Sequence, residues 1–404
     1  MVGKTFKIRF MTPSGEVIKC AQTDVYEDHQ GQIDKIEFVY HPDFKKHSQY
    51  PIDPKYLSFN EQLIELPCSK AVAGFIDDIL PDSWGKKVLA RIHNIRYPKT
   101  TDLLNLMEYS TIGALHFSSV DNTAVAFGLG CNKSDLTELQ ILANKIDIGL
   151  LTNEEIEQYK LAMFARGSSV GGARPKVLVH DEYKAYIAKF AKDEDKFDYA
   201  TVEHACLKLM EEAGLLVAQS EVIKAEANNV LLVERFDVTP NNGRYHQITA
   251  NALLKNPNTQ SDPYTSSYDD IVKLIARYSS KPLADKKQLL GQMLFNVALN
   301  NTDDHLRNFS FSCKEDGWQL TPAYDVVPSV TYGAYHQLKL GYDDILPSHS
   351  HIARYHKNFG LTKAQVGDVA ERVRSTLVNW AKSFRESGVS ENDIKLLSKL
   401  IKTE

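Results

Sequence analysis

Cysteine is scarce in this 404-residue chain, and the five present (Cys20, Cys68, Cys131, Cys206, Cys313) are far apart and form no CxxC pair. An odd, scattered set suggests neither a disulfide framework nor a thiolate zinc site, and fits a reducing compartment. An excess of positive charge is also missing: 47 Lys and Arg stand against 52 Asp and Glu, a formal net charge of -5. Reading DNA unaided takes a wide positive footprint, so nucleic acid is expected to be met mainly through a partner. No run reaches the ~18 apolar residues of a membrane span. The opening MVGKTFKIRFMTPSG alternates apolar and polar residues and lacks a signal-peptide core. A soluble, cytoplasmic protein is the expectation. No G-x-x-x-x-G-K-[ST] element occurs, which disfavours a Walker-type NTPase. What remains is ordinary globular material, 43% hydrophobic and 25% charged, which excludes a disordered or fibrous chain. At roughly 100–200 residues per domain the length predicts two or three domains.

The pattern along the chain is mixed. Lys4–Met11 and Ile36–Tyr40 read as strands, with Pro13-Ser14-Gly15 as a hairpin turn leading into Glu16–Lys19. Asp82-Ser83 caps an amphipathic run, Trp84–Ile95, and Ile112–Ser118 reads as a further strand. Helices are predicted over Leu136–Ile146 and Asn153–Ala165, the latter ending at Gly167. A glycine-rich turn follows, then short strands (Val177–Val179, Tyr186–Phe190), a helix Tyr199–Ala213, and strands Glu221–Lys224 and Val230–Phe236. After Phe236 the composition turns helical: Thr249–Leu254, Tyr268–Tyr278, Lys286–Leu299, Thr362–Phe384 and Glu391–Ile401. The polar stretch Asn256–Ser267 reads as an exposed loop.

Several segments carry chemistry. In NTDDHLRN (residues 301–308) an Asp precedes an Asn by five positions. That is the D-x-x-x-x-N spacing of a kinase catalytic loop, where the Asp accepts a hydroxyl proton and the Asn holds Mg²⁺. Asp325, in TPAYD, follows at a distance that suits a second hard-oxygen ligand. Lys189, in a short apolar strand, suits the α/β-phosphates of a nucleotide, with Glu203 of the next helix as its ion-pair partner. Gly171 and Gly172 can bring backbone N–H groups to anionic oxygens, with Lys176 adding charge. Ser168 and Ser169, just before them, offer hydroxyls to a phosphoryl group. Each signal alone has a bland alternative: Asp303 a turn former, Lys189 a strand-edge lysine, Glu203 a solvated helix residue, the glycine pair a plain β-turn. Asp304 and His305 also have structural readings, with His305 as a buried hydrogen-bonding scaffold of the loop. The order of the whole set favours the kinase reading.

Taken together, SVGGARPK (169–176), VERFD (233–237), NTDDHLRNF (301–309) and LTPAYD (320–325) resemble the HipA family, serine/threonine kinases that act as toxins of toxin–antitoxin systems. The resemblance covers nearly the whole chain. It implies an α+β, two-lobe, protein-kinase-like fold with an extra N-terminal α+β subdomain: residues 1–115, a nucleotide-covering lobe over 116–236, and a helical lobe over 237–404. By the same resemblance Asp303 is the catalytic base, Asn308 and Asp325 the Mg²⁺ ligands, and Lys189 the phosphate-binding lysine. Glu234 and Phe236 take the place of the adenine-contacting hinge, Gln247 lies near adenine and ribose, and Ser169, or its neighbour Ser168, is the autophosphorylated serine. The implied cofactors are ATP and Mg²⁺. The implied partners are a HipB-like helix-turn-helix antitoxin, operator DNA mainly through that antitoxin, and a protein substrate, commonly an aminoacyl-tRNA synthetase, whose modification inhibits translation. Two departures stand out: Asp304 follows the base where the best-known members carry Gly, and the turn reads GGARPK rather than AGAQEK. A kinase of another substrate, or a catalytically silent pseudokinase acting as a corepressor, are the alternatives.

Overall fold

A computed structural model describes residues 2–60, 62–68, 72–107, 112–119, 128–150, 152, 154–155, 174–225, 228–255, 266–330, 335–343 and 345–403. The glycine turn with Ser168, Ser169, Gly171 and Gly172, most of the helix expected over Asn153–Ala165, and most of the polar stretch Asn256–Ser267 lie outside the described residues. The chain divides into two compact units, the first of Met1–Lys192, Glu234–Ser261 and Ser312–Lys314, the second of Asp193–Val233, Asp262–Phe311 and Glu315–Glu404.

The first unit opens with strands β1 (Val2–Met11), β2 (Val17–Glu27) and β3 (Ile33–Tyr40). With β4 (Ile64–Pro67) and β5 (Leu115–Ser118) they form an antiparallel sheet in the order β4-β3-β2-β1-β5. The alternation in the sequence is the cause, because period-2 side chains send Phe6, Ile8, Val25, Ile36 and Phe38 to one buried face. The expected turn is present: Gly15 takes φ +90°, which glycine adopts without steric cost, and donates its N–H to the Thr12 carbonyl at 3.0 Å. Phe75 and Phe117 join the same core, and helix α3 (Ser83–Ile92), after α1 (Pro42–His47) and α2 (Gly74–Asp77), starts at Asp82, whose carboxylate accepts from the Gly85 N–H at 2.6 Å. After α4 (Thr100–Leu106), strand β6 (Cys131–Asn132) and α5 (Leu136–Ile148), β6 pairs in parallel with β7 (Lys176–His180), and β7 pairs antiparallel with β8 (Ala185–Lys189).

In the second unit, α6 (Tyr199–Glu212) is capped by Asp198, and the hairpin of β9 (Ser220–Ala225) and β10 (Asn228–Glu234) follows. Beyond β11 (His246–Thr249) and α7 (Ala250–Leu254) of the first unit come α8 (Tyr268–Tyr278) and α9 (Pro282–Ala298). Helix α8 has the predicted bounds because they are written locally: Ser267 and Asp270 close a capping box and an apolar stripe runs behind it. Helix α9 is buried along nearly its whole length and delivers the chain to the Asp303 loop. Strands β12 (Ser310–Lys314) and β13 (Gly317–Leu320) form a hairpin. The single helix expected over Thr362–Phe384 is two, α10 (Lys363–Leu377) and α11 (Trp380–Glu386), before α12 (Glu391–Leu397). The backbone leaves helical values at Asn379 (φ −104°, ψ 11°), a residue type whose side chain competes for backbone hydrogen bonds, while the apolar stripe continues across the break and hides it from a periodicity reading.

Candidate active site

Helix α9 is C-capped at Leu299, and Asn300 turns the chain with a φ of +57°, one of four non-glycine residues in the left-handed region among the described residues. The turn is held from both sides. Asn300 donates its side-chain N–H to the Ser329 carbonyl at 2.8 Å, and the Thr302 N–H reaches the Ser329 hydroxyl at 3.2 Å. Asn301 donates to the Asn296 side-chain oxygen at 3.0 Å, so the loop is stitched to the helix that precedes it. Asp303, next in line, is solvent-accessible, with Gln337 Nε2 donating to its Oδ1 at 2.6 Å. The Asn308 side-chain nitrogen donates to the Asp303 carbonyl at 2.9 Å, closing the D-x-x-x-x-N loop on itself and turning the Asn308 amide oxygen the other way.

Asp325 completes the group. Its backbone φ is +58°, a conformation that costs an L-residue of order 1–2 kcal/mol and is kept where the surroundings impose it. The neighbouring residues impose it: the Tyr324 hydroxyl donates to the Arg307 carbonyl at 2.7 Å and lies 2.6 Å from Ser310 Oγ, and Ala323 is bonded through its N–H to the Leu216 carbonyl at 2.9 Å. Desolvation pushes the Asp303 carboxyl above the ordinary aspartate range, and the nearby Asp325 and Asp304 charges add to this against the opposing pull of His305 and Gln337. Two hard-oxygen groups, Asn308 and Asp325, thus accompany a carboxylate of raised proton affinity in one loop cluster, the donor set Mg²⁺ prefers when phosphate oxygens complete its shell. Among the described residues no group of three His, Cys, Asp or Glu side chains gathers as a self-sufficient metal cage.

The loop's buried scaffold is Asp304, where the sequence pointed to His305. Asp304 is 0% exposed; its carboxylate accepts from the Tyr268 hydroxyl at 2.7 Å and from the Gln337 main-chain N–H at 2.8 Å. His336 Nδ1 stands 3.2 Å away without hydrogen-bond alignment. Tyr268 in turn accepts from the Asn296 side chain at 3.1 Å, and burial next to Asp304 pushes its phenol up, keeping it a donor. His305 is half-buried and its Nδ1 has no hydrogen-bond partner among the described residues. The charge that Asp304 adds is therefore turned inward, and the residue anchors the loop. Tyr268, Asn296 and Gln337 were not singled out from the sequence; Asn296, a polar residue inside the apolar run MLFNVAL, was the available signal.

The remaining candidates belong to the first unit, apart from Glu203, which is buried in α6. Lys189 ends β8, half-buried. Lys176, expected to add charge at the glycine turn, is placed otherwise: it is 3% exposed and its ammonium stands 3.3 Å from the Asp82 carboxylate, since a cation at that depth needs a counter-charge. The Glu234 carboxylate accepts from Lys184 at 2.6 Å, which leaves its main chain, not its side chain, for a hinge role. Phe236 is half-buried. Gln247 lies on β11 with a buried side-chain nitrogen that has no hydrogen-bond partner among the described residues, a donor suited to an acceptor on a bound nucleotide. Between Glu234 and Gln247, Arg235 grips Asp237 through two hydrogen bonds of 3.0 and 2.7 Å, and the Gly113 N–H donates to the same carboxylate at 2.8 Å. Burial pushes Asp237 up, but Arg235 and these bonds prevail and hold it below the usual range.

Residues 168–381 match the family model of the HipA-like C-terminal domain, and residues 25–118 that of the HipA N-terminal domain. A putative kinase of Haemophilus influenzae is 27% identical over 188 residues, 41% of this chain and 54% of that protein, so the chain spans about half the length of that relative. The serine/threonine-protein kinase toxin HipA of Shewanella oneidensis is 24% identical over 309 residues, 68% of this chain and 67% of the relative. The solved structure of Shewanella oneidensis HipA with HipB and its operator DNA superposes with a TM-score of 0.70 at 19% identity, over 97% of this chain and 94% of that one. At that identity the likeness is one of fold, and it bears out the α+β, kinase-like architecture expected from the motif order.

Proposed function

Because this chain belongs to the family with a HipA-like C-terminal domain, we propose that it is an ATP-dependent protein kinase that transfers the γ-phosphoryl group to a serine hydroxyl. The observation that carries the reading is the convergence of Asp303, Asn308 and a backbone-strained Asp325 in one loop cluster, with the Asp303 carboxyl raised in proton affinity. Asp303 accepts the proton of the attacking hydroxyl. The Asn308 amide oxygen and the Asp325 carboxylate would hold Mg²⁺, which would supply charge neutralisation for the transferring phosphate. Lys189 meets the α/β-phosphates, the Gly171 and Gly172 amides cover the phosphates, the Glu234–Phe236 main chain meets adenine, and the Gln247 side chain donates near the base or ribose. Lys176 has no part in this scheme, being engaged with Asp82. Most of the rate enhancement comes from positioning and charge neutralisation, since phosphoryl transfer leaves little covalent chemistry to side chains.

The same proposal includes autophosphorylation on Ser169 or Ser168, the division into units of residues 1–115, 116–236 and 237–404, and toxicity through a protein substrate such as an aminoacyl-tRNA synthetase. It also includes a HipB-like antitoxin that carries most of the operator contact, in keeping with the net charge of -5. The test is transfer of labelled phosphate from Mg-ATP by wild-type and Asp303→Asn protein, with the nucleotide-induced melting shift measured alongside. Loss of about 10²–10⁴-fold in transfer, with the melting shift retained, is expected for removal of a general base. Undiminished transfer by the variant would remove Asp303 from the mechanism, and a melting shift without transfer in the wild type would make the chain a pseudokinase.

A further inference from the structure

We infer that Gln337 is a positioning residue for Asp303, and that the buried Asp304 carboxylate is what holds Gln337 in place. The inference rests on the reading of Asp303 as the base and concerns how that base is aimed. Gln337 is bonded twice to the loop. Its side-chain Nε2 donates to Asp303 Oδ1 at 2.6 Å, and its main-chain N–H donates to Asp304 Oδ1 at 2.8 Å. The two adjacent aspartates therefore grip one residue from opposite ends, Asp304 from inside the protein and Asp303 at the surface.

The anchor is itself fixed. The second Asp304 oxygen takes the Tyr268 hydroxyl at 2.7 Å, and the Tyr268 main-chain N–H is bonded to the Lys339 carbonyl at 2.9 Å, two residues beyond Gln337. A carboxylate free to rotate about its Cβ–Cγ bond presents its oxygens in many directions, whereas a base must aim one lone pair at the hydroxyl it deprotonates. By holding Oδ1, Gln337 fixes the rotation of the carboxylate and with it the direction in which the remaining lone pairs are presented. A neutral amide also does this without the cost in proton affinity that a lysine or arginine in its place would impose. Asp304 suits the anchor role because a carboxylate accepts on two sides at once, here from the Tyr268 hydroxyl and the Gln337 N–H.

The experiment is a double-mutant cycle on the full chain, reading single-turnover transfer of labelled phosphate from Mg-ATP to the chain itself and to casein, across ATP concentrations. Gln337 is exposed, so Gln337→Met removes the donor without disturbing a packed core. A fall of about 10- to 100-fold in the rate at saturating ATP is expected, the size of one hydrogen bond to a charged group. Half-saturating ATP and melting temperature should be unchanged. Asp304→Asn keeps one carbonyl oxygen and should lose less than Asp304→Ala. The Gln337→Met/Asp304→Asn double variant should be no slower than Gln337→Met, because both act through one contact. A wild-type rate for Gln337→Met, with Asp303→Asn inactive, overturns the inference and leaves the base assignment standing. Full activity in Asp303→Asn overturns the base assignment itself. Multiplying losses in the double variant would show that Asp304 does not act through Gln337.

Discussion

Two acidic groups in this molecule, Asp237 inside and Asp303 at the surface, are built in opposite ways. Asp237 is enclosed by Arg235 and the Gly113 N–H, and its pKa is held below the ordinary range despite complete burial. Asp303 has its pKa raised by desolvation and by the nearby Asp325 and Asp304 charges, against the opposing pull of His305 and the Gln337 amide donor. A carboxylate matched by a guanidinium is locked in one charge state and serves the fold. One that is partly desolvated among like charges takes up a proton more readily, which is what a general base does. The VERFD and NTDDHLRN motifs are both rich in charge, yet only in the second is a charged side chain proposed to act in the chemistry.

The largest effect expected from breaking this contrast is at Arg235. Arg235→Ala leaves Asp237 buried without its guanidinium and should cost about 3–5 kcal/mol in denaturant unfolding, whereas replacing both residues with apolar ones of similar volume should cost far less. A loss in the double variant as large as in the single one would mean that Asp237 is needed for more than neutralising Arg235. Asp303→Asn, by contrast, should leave unfolding unchanged or slightly improved while transfer is lost.

A third kind of group sharpens the contrast. Burial pushes His246 down to about 4 and Asp53 up to about 6, so between those values both are neutral in the folded protein. The unfolded chain takes a proton on His246 as pH falls below about 6.5, so this residue's contribution to stability is full above that pH and is lost on acidification toward about 4. Asp53 contributes in the opposite sense, with stability present below about 3.8 and lost as pH rises through about 6. The two slopes, each up to about 1.4 kcal/mol per pH unit, nearly cancel between pH 4 and 6. His246→Gln should therefore unmask a stability that falls as pH rises across this window, and Asp53→Asn one that rises, both read by urea unfolding at several pH values. Flat profiles in both variants would show that neither group is neutral when folded.

The smallest expected effect on stability is at Asp325. Asp325→Gly removes both the left-handed strain and one of the crowded charges, and should stabilise the protein by about 1 kcal/mol while abolishing Mg²⁺-dependent transfer. A destabilised Asp325→Gly variant would mean that the side chain is held for the fold and not against it.

Much of this was legible in the residues themselves. The strand alternation of β1 to β3, the Gly15 turn, the caps of α3 and α8, and the D-x-x-x-x-N spacing are all written within a few positions, and local chemistry enforces them. The break at Asn379 was not, because the apolar stripe runs through it. Nor was the anchoring role of Asp304, for which its neighbour His305 was the sequence-level candidate. The side chains that hold the base come from far along the chain: Tyr268 lies 36 residues before Asp304, and Gln337 lies 34 after Asp303.

The sequence by itself determined the family, the type of fold and the identities of the groups proposed to carry the chemistry, since motif order and residue type survive any packing detail. Only the tertiary structure decided which charges are committed to partners. Lys176 went to Asp82, Glu234 to Lys184 and Asp304 to Tyr268. The reason is physical: a buried charge must find its counterpart wherever the fold brings one within hydrogen-bond reach, and that distance is not encoded in spacing along the chain.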